Sequence, residues 1–137
     1  MTAGEPRWLE RPLADAIHFD QVRMYGGNWG LREENLLESS LARAKNKWHY
    51  EPAADLATLG AAYGFSLAKN HPWVDGNKRA AFMVMYTFLA VNGRRLVAPE
   101  PEAVITMLAV AAGDMSEERL AEWVRAHLVT QALEGTP

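Results

Sequence analysis

The chain has 137 residues, 49% of them hydrophobic and 23% charged, which suits one globular domain with a buried core and excludes a disordered chain. Lysine and arginine number 14 against 17 acidic residues, a net charge of −3, which argues against the basic stripe of a dedicated nucleic-acid binder. Cysteine is absent, so disulfides, thiolate metal sites and a cysteine nucleophile are excluded, and a reducing compartment fits.

Alanine and leucine fill 37 positions, while isoleucine occurs twice; the former are good helix formers. No sustained apolar–polar alternation supports strands. The first helix is expected over residues 12–25, with Pro12 in its first turn, Gly26-Gly27 as its stop, and Ile17 and Met24 on one face. A loop over 27–30 leads to a second helix at 32–44, whose Leu36, Leu37, Ser40, Leu41 and Ala44 share a face. Residues 45–54 read as a loop holding Trp48, His49 and Tyr50. Those aromatics flank a partner surface or pack the loop; the pattern leaves both open.

Asp55 is placed to cap a third helix carrying Leu56, Leu59, Tyr63 and Leu67. It should end near Asn70, because Pro72 cannot continue the ladder and turns His71 away from helix. A fourth helix, 77–92, is apolar nearly all round and is expected at the centre of the bundle. Residues 94–99 form a connector with a short strand at 95–97. Pro101 opens a fifth helix to Ala112, and Ser116 caps a sixth, with Leu120, Trp123, Val124, His127 and Leu128 on its buried face. Residues 134–137 should fray.

The expected class is therefore all-α, a single domain over 1–137 with its core at about 13–128. The longest apolar run, 80–91, is too short for a membrane span, and residues 1–10 lack a signal pattern. A soluble, cytoplasmic protein with no membrane or direct nucleic-acid partner is expected.

One segment carries chemistry: His71-Pro72-Trp73-Val74-Asp75-Gly76-Asn77-Lys78-Arg79. It runs from a loop into the start of the most apolar helix. A helix N-terminus offers unpaired N–H groups and partial positive charge, which suits an anion. Gly76 permits close backbone approach. Arg79 can grip two phosphate oxygens and Lys78 adds a point charge. Asp75 offers the hard oxygen that Mg²⁺ shares with substrate phosphates. His71 can take a proton from a hydroxyl near neutral pH. Taken singly, these residues are also ordinary turn and capping chemistry. Trp73 reads as an anchor tucking the loop into the core, and His18 and His127 read as packing residues. No second ligand at suitable spacing supports a histidine zinc site.

The segment resembles the signature of the Fic/Doc superfamily, His-Pro-Phe-x-Asp/Glu-Gly-Asn-x-Arg. His71, Pro72, Asp75, Gly76, Asn77 and Arg79 match, with Trp73 replacing the usual Phe. Six fixed positions arise by chance roughly once in 10⁸ placements. Residues 17–18, 25–27 and 30–31, and the Asn92-Gly93 region, also look like Doc (death-on-curing) toxins. Fic adenylyltransferases usually carry Gly where this chain has Lys78, as Doc toxins do.

The resemblance implies an ATP- and Mg²⁺-dependent kinase of a type II toxin–antitoxin pair. Such toxins transfer the γ-phosphate to a hydroxyl of elongation factor Tu and block translation, and a small antitoxin encoded nearby neutralises them. It also implies the roles: His71 as general base, Asp75 as Mg²⁺ ligand, Gly76 and Asn77 lining the anion hole, and Lys78 and Arg79 neutralising developing charge. Two rivals stand beside it: AMP transfer of the Fic type, and a decayed module that only binds an antitoxin. Thr130-Gln131-Ala132-Leu133-Glu134-Gly135 matches the inhibitory Ser/Thr-x₃-Glu-Gly/Asn pattern of some Fic enzymes. That pattern turns up by chance in about one chain in ten of this length.

Overall fold

The computed structural model describes residues 4–130. The chain there forms α1 (Arg11–Tyr25), α2 (Glu34–Tyr50), α3 (Leu56–Asn70), α4 (Asn77–Val91), β1 (Arg94–Leu96), α5 (Glu100–Ala112), α6 (Glu117–Ala126) and β2 (Leu128–Thr130). Six helices around one core agree with the expected all-α class. The inhibitory-type pattern and the expected fraying at 134–137 lie, apart from Thr130, outside the described residues.

The expected capping chemistry holds at two helix starts. The Asp55 carboxylate accepts the Thr58 N–H at 2.9 Å, and the Ser116 hydroxyl accepts that of Arg119 at 3.2 Å. Each satisfies a donor that the helix leaves orphaned. Gly113, at φ 86°, closes α5 in the left-handed conformation common at helix ends.

Centrality differs from the sequence expectation. Ten of the fifteen residues of α3 are buried, against seven of fifteen in α4, so α3 is the more enclosed helix and α4 lies against it. Composition explains this. Helix α3 is rich in Ala and Gly, and neighbours can approach it from several sides. Its Gly60 and Gly64 face α4: a Cβ at Gly64 would come within 2.7 Å of Met85 Sδ, and one at Gly60 within 3.0 Å of Leu89 Cδ2. Glycine in a helix interior costs about 0.5–1 kcal/mol relative to alanine; here it lets two apolar helices meet closely. Tyr63, Leu59, Leu67, Met85, Phe88 and Leu89 are fully buried at this seam.

Further differences have local causes. Helix α2 continues through residues 45–50, placing Trp48 half-buried, its ring 6.0 Å from that of Trp8. That contact favours another helical turn over the expected loop. His49 and Tyr50 are exposed, and the His49 ring stays 5.6 Å from that of Trp48. On α1 the buried stripe is Ala14, His18 and Val22, an i, i+4 series, and Met24 is exposed. The short strand appears at Arg94–Leu96, pairing antiparallel with Leu128–Thr130. Helix α6 therefore ends at Ala126, and Leu128 belongs to β2 rather than to the helix face. His127 caps that end, its Nδ1–H donating to Trp123 C=O at 2.8 Å.

Two long-range ties complete the frame. Buried Glu117 on α6 pairs with Arg43 (2.6 Å) and Lys47 (3.3 Å) on α2. The Arg125 guanidinium on α6 grips the Asp55 carboxylate at 2.7 and 3.0 Å. No helix among the described residues is long and apolar enough to cross a membrane.

Candidate active site

The connection between α3 and α4 is short, and almost every carbonyl in it has a partner. Arg32 holds its start: Nε donates to His71 C=O at 2.6 Å and Nη2 to Asn70 C=O at 2.8 Å. Pro72 C=O accepts the backbone N–H groups of Arg32 (2.8 Å) and Glu33 (3.0 Å). Val74 N–H donates to Gly30 C=O at 3.0 Å, beside an antiparallel bridge between Leu31 and Trp73. Asp75 C=O accepts from His18 Nε2 at 2.8 Å. Gly76 C=O accepts from Ala80 N–H at 2.9 Å, the first bond of α4. Buried polar backbone is costly unless paired, and here the pairing fixes the loop.

His71 terminates α3 in the left-handed region, at φ 48°, ψ 57°. Among the described residues it is the only non-glycine with positive φ. Such a conformation costs about 1–3 kcal/mol, and strain of this kind clusters at functional sites. Pro72 disfavours a further helical turn at this residue. The imidazole pKa lies below its usual value, first because burial disfavours the cation, then because Lys78, Arg32 and Lys69 add positive charge nearby. A neutral imidazole is a base ready to accept a proton.

Trp73 is buried as expected of an anchor, but it is also a platform. Its ring stacks on His18, centroids 4.4 Å apart and planes 5° from parallel. The Asn77 side chain folds back onto it: Oδ1 accepts Trp73 N–H and Nδ2 donates to Trp73 C=O, both at 2.9 Å. One N–H of this amide is thereby taken up within the loop, and the backbone N–H of Asn77 stands at the helix start.

Gly76 enters α4 at φ 75°, ψ 16°, with no side-chain cap. Left-handed backbone suits glycine, and a Cβ would also press on Val22 Cγ2 at 3.3 Å. Because Ala80 makes the first intrahelical bond, the N–H groups of Asn77, Lys78 and Arg79 have no carbonyl one turn back. Arg79 lies across this turn. Its Nη2 donates to Gly26 C=O at 3.1 Å, and its guanidinium carbon stands 5.4 Å from the centroid of the Tyr25 ring. Lys78 is exposed.

Asp75 is half-buried, and its Oδ2 accepts Asn28 N–H at 2.7 Å. Gly27, at φ 110°, is required here, since a Cβ would come within 3.1 Å of Asp75 Cβ. The sequence alone did not single out Arg32, Asn28 or Gly27 as site builders, and it placed His18 merely in the core. Each reaches the loop from a distant segment, so no local spacing announces it.

The sequence profile of the Fic/DOC family matches residues 8–89, more than half of the chain. The chain belongs to the Fic/DOC family. It is similar to "Protein kinase doc" of Escherichia phage P1, with 30% identity over 110 residues, covering 80% of this chain and 86% of that protein. It is also similar to "Toxin Doc" of Mycolicibacterium smegmatis, with 39% identity over 75 residues, covering 54% of this chain and 58% of that one. These relatives make it a Doc-type member, and the matched span contains α1 through most of α4 and hence the whole loop.

A Doc-type site of this build can hold a divalent cation only by sharing it. Among the described residues no three His, Cys, Asp or Glu side chains group as a metal cage. Asp75 supplies one carboxylate beside an uncapped helix start. That fits Mg²⁺, which takes one or two carboxylates and completes its shell with water and phosphate oxygens.

Proposed function

We propose that this chain is a Doc-type toxin kinase of a type II toxin–antitoxin pair, transferring the γ-phosphate of ATP to a protein hydroxyl. The observation that carries the reading is the α3–α4 junction. A neutral imidazole, a carboxylate and an uncapped helix N-terminus with two cations stand within nine residues on pinned backbone. The name of the phage relative, a protein kinase, and that of the mycobacterial one, a toxin, point the same way.

In this reading His71 takes the proton of the acceptor hydroxyl as its oxygen bonds to the γ-phosphorus. The bond from that phosphorus to the bridging oxygen breaks, and ADP leaves with the electron pair. The N–H groups of Asn77, Lys78 and Arg79 hold the equatorial oxygens, and the Lys78 and Arg79 side chains offset the charge that spreads over them. Such preorganised donors are usually the largest catalytic contribution. Mg²⁺ held by Asp75 supplies further charge neutralisation when bound. The acceptor is elongation factor Tu, the site of action is the cytoplasm, and the neutralising partner is a small antitoxin encoded nearby.

The test incubates the full chain with Mg-ATP and elongation factor Tu and reads the mass of the acceptor. A gain of about 80 Da marks phosphate and about 329 Da marks AMP, the two transferable groups of ATP. Phosphate is the expected result. A gain of AMP replaces the kinase reading with adenylyl transfer, and no gain on elongation factor Tu removes it as the acceptor.

A further inference from the structure

We propose that His18 is a positioning residue for the anion-binding turn, setting the 75–76 peptide plane through a hydrogen bond from its Nε2–H to Asp75 C=O. The inference rests on the reading above, in which the start of α4 holds the transferred phosphate.

The geometry leaves one assignment of the bond. A carbonyl oxygen only accepts, so Nε2 carries the proton. The ring is buried at 2% exposure and lies flat against Trp73. Its orientation is thereby fixed from two sides.

What that bond controls follows from peptide planarity. In a trans peptide the C=O of Asp75 and the N–H of Gly76 point in opposite directions. His18 draws the carbonyl toward α1. The Gly76 N–H is then turned the opposite way, at the residue that caps the start of α4. The peptide next to a glycine is the easiest in a chain to flip, because glycine accepts φ of either sign. A flipped 75–76 peptide would present a carbonyl oxygen, with its partial negative charge, where an anion is to bind. The side chains of Asp75 and Asn77 act elsewhere, on Asn28 and on Trp73. The hydrogen bond given to the Asp75 carbonyl is that from His18.

The role separates from plain packing by choice of variant. His18→Phe keeps a flat ring over Trp73 and removes the donor. His18→Gln places an amide nitrogen near the Nε2 position, and His18→Asn places one at the Nδ1 position, too short to reach. We expect His18→Phe to melt close to wild type and to transfer phosphate about 10–100-fold more slowly, the range known for groups that orient a ligand through a second residue. The loss should fall on kcat, with the KM of the acceptor protein unchanged, and His18→Gln should recover most of it. In ¹⁵N spectra the Gly76 amide should shift or broaden in His18→Phe and His18→Asn and stay near its wild-type position in His18→Gln.

A His18→Phe variant that works at the wild-type rate with an unmoved Gly76 amide overturns the proposal. So does a folded His18→Gln variant as slow as His18→Phe, which would make ring shape the cause. If His18→Phe fails to fold, the Gln and Asn pair gives the same decision. If wild type transfers no phosphate at all, the kinase reading fails, and the Gly76 amide still decides whether His18 sets the turn.

Discussion

His71 holds two properties that pull on different measurements. Its backbone is strained and its imidazole titrates below 6.5. His71→Ala should lower transfer by about 10²–10⁴-fold, the usual cost of losing a general base, while the loop bonds that do not involve its ring remain. The pH dependence has a definite sign. The neutral form is the base, so the rate should rise with pH, with a midpoint below the ordinary imidazole value of 6.5. The unfolded chain, with an ordinary imidazole, binds the proton more readily than the folded one. Stability should therefore fall as pH drops from 6.5 toward the lower folded value, and His71→Ala should remove that part of the slope. A pH–rate profile with its midpoint above 6.5 would contradict the assignment. Lys78 gives a second test at this scale. It is exposed in the first turn of α4, yet its charge reaches His71. Lys78→Gly should slow phosphate transfer by about 10²-fold, as loss of one charge-stabilising donor does, and should raise the pKa read from the pH profile. A variant as fast as wild type would make Lys78 a solvated helix-start residue.

At the scale of elements, Asp55 joins two helices. Its carboxylate caps α3 through Thr58 N–H and receives the Arg125 guanidinium from α6. The guanidinium, followed by the Thr58 bonds, holds the carboxylate well below its usual range against the opposing effect of burial. A lowered folded pKa stabilises above the ordinary carboxylate range and is lost as pH falls through the folded value. Asp55→Ala should cost about 1 kcal/mol in urea titration through loss of the cap. Asp55→Asn retains an acceptor and should cost less, since exposed ion pairs contribute about 0–1 kcal/mol. The difference between wild type and Asp55→Asn should shrink as pH falls and the carboxylate is protonated, whereas the gap between Asn and Ala, a neutral cap against none, should persist. Caps and stops were legible in the sequence here because they are local: Asp55, Ser116 and Pro72 act within four residues. The last turn of α2 and the strand at 128–130 were not. The first depends on Trp48 meeting Trp8, and the second on pairing with residues more than thirty positions earlier; three-residue strands carry no period to read.

Across the whole molecule, the candidate site is the link between the two most buried helices. The nine-residue motif was legible because its chemistry is contiguous. Its supports were not, since Arg32, Asn28 and His18 lie 39, 47 and 57 residues from the atoms they hold. These ties draw the α1–α2 connection and α1 onto the loop, so the loop should not open separately from the fold. Native-state hydrogen exchange should show the Val74 and Ala80 amides exchanging with the urea sensitivity of global unfolding. A small, sub-global sensitivity at these two positions would show a loop that breathes independently.

The bonded backbone from Asn70 to Gly76 also decides where an entropic cost falls. A segment that orders around its ligand gives up conformational freedom at the moment of capture, and calorimetry sees this as a large negative heat-capacity change with opposing entropy. Here that freedom is surrendered when α3 meets α4. Nucleotide capture should then show a heat-capacity change no larger than the surface covered, and affinity should be set by charge and shape at the helix start rather than by any work of assembling it.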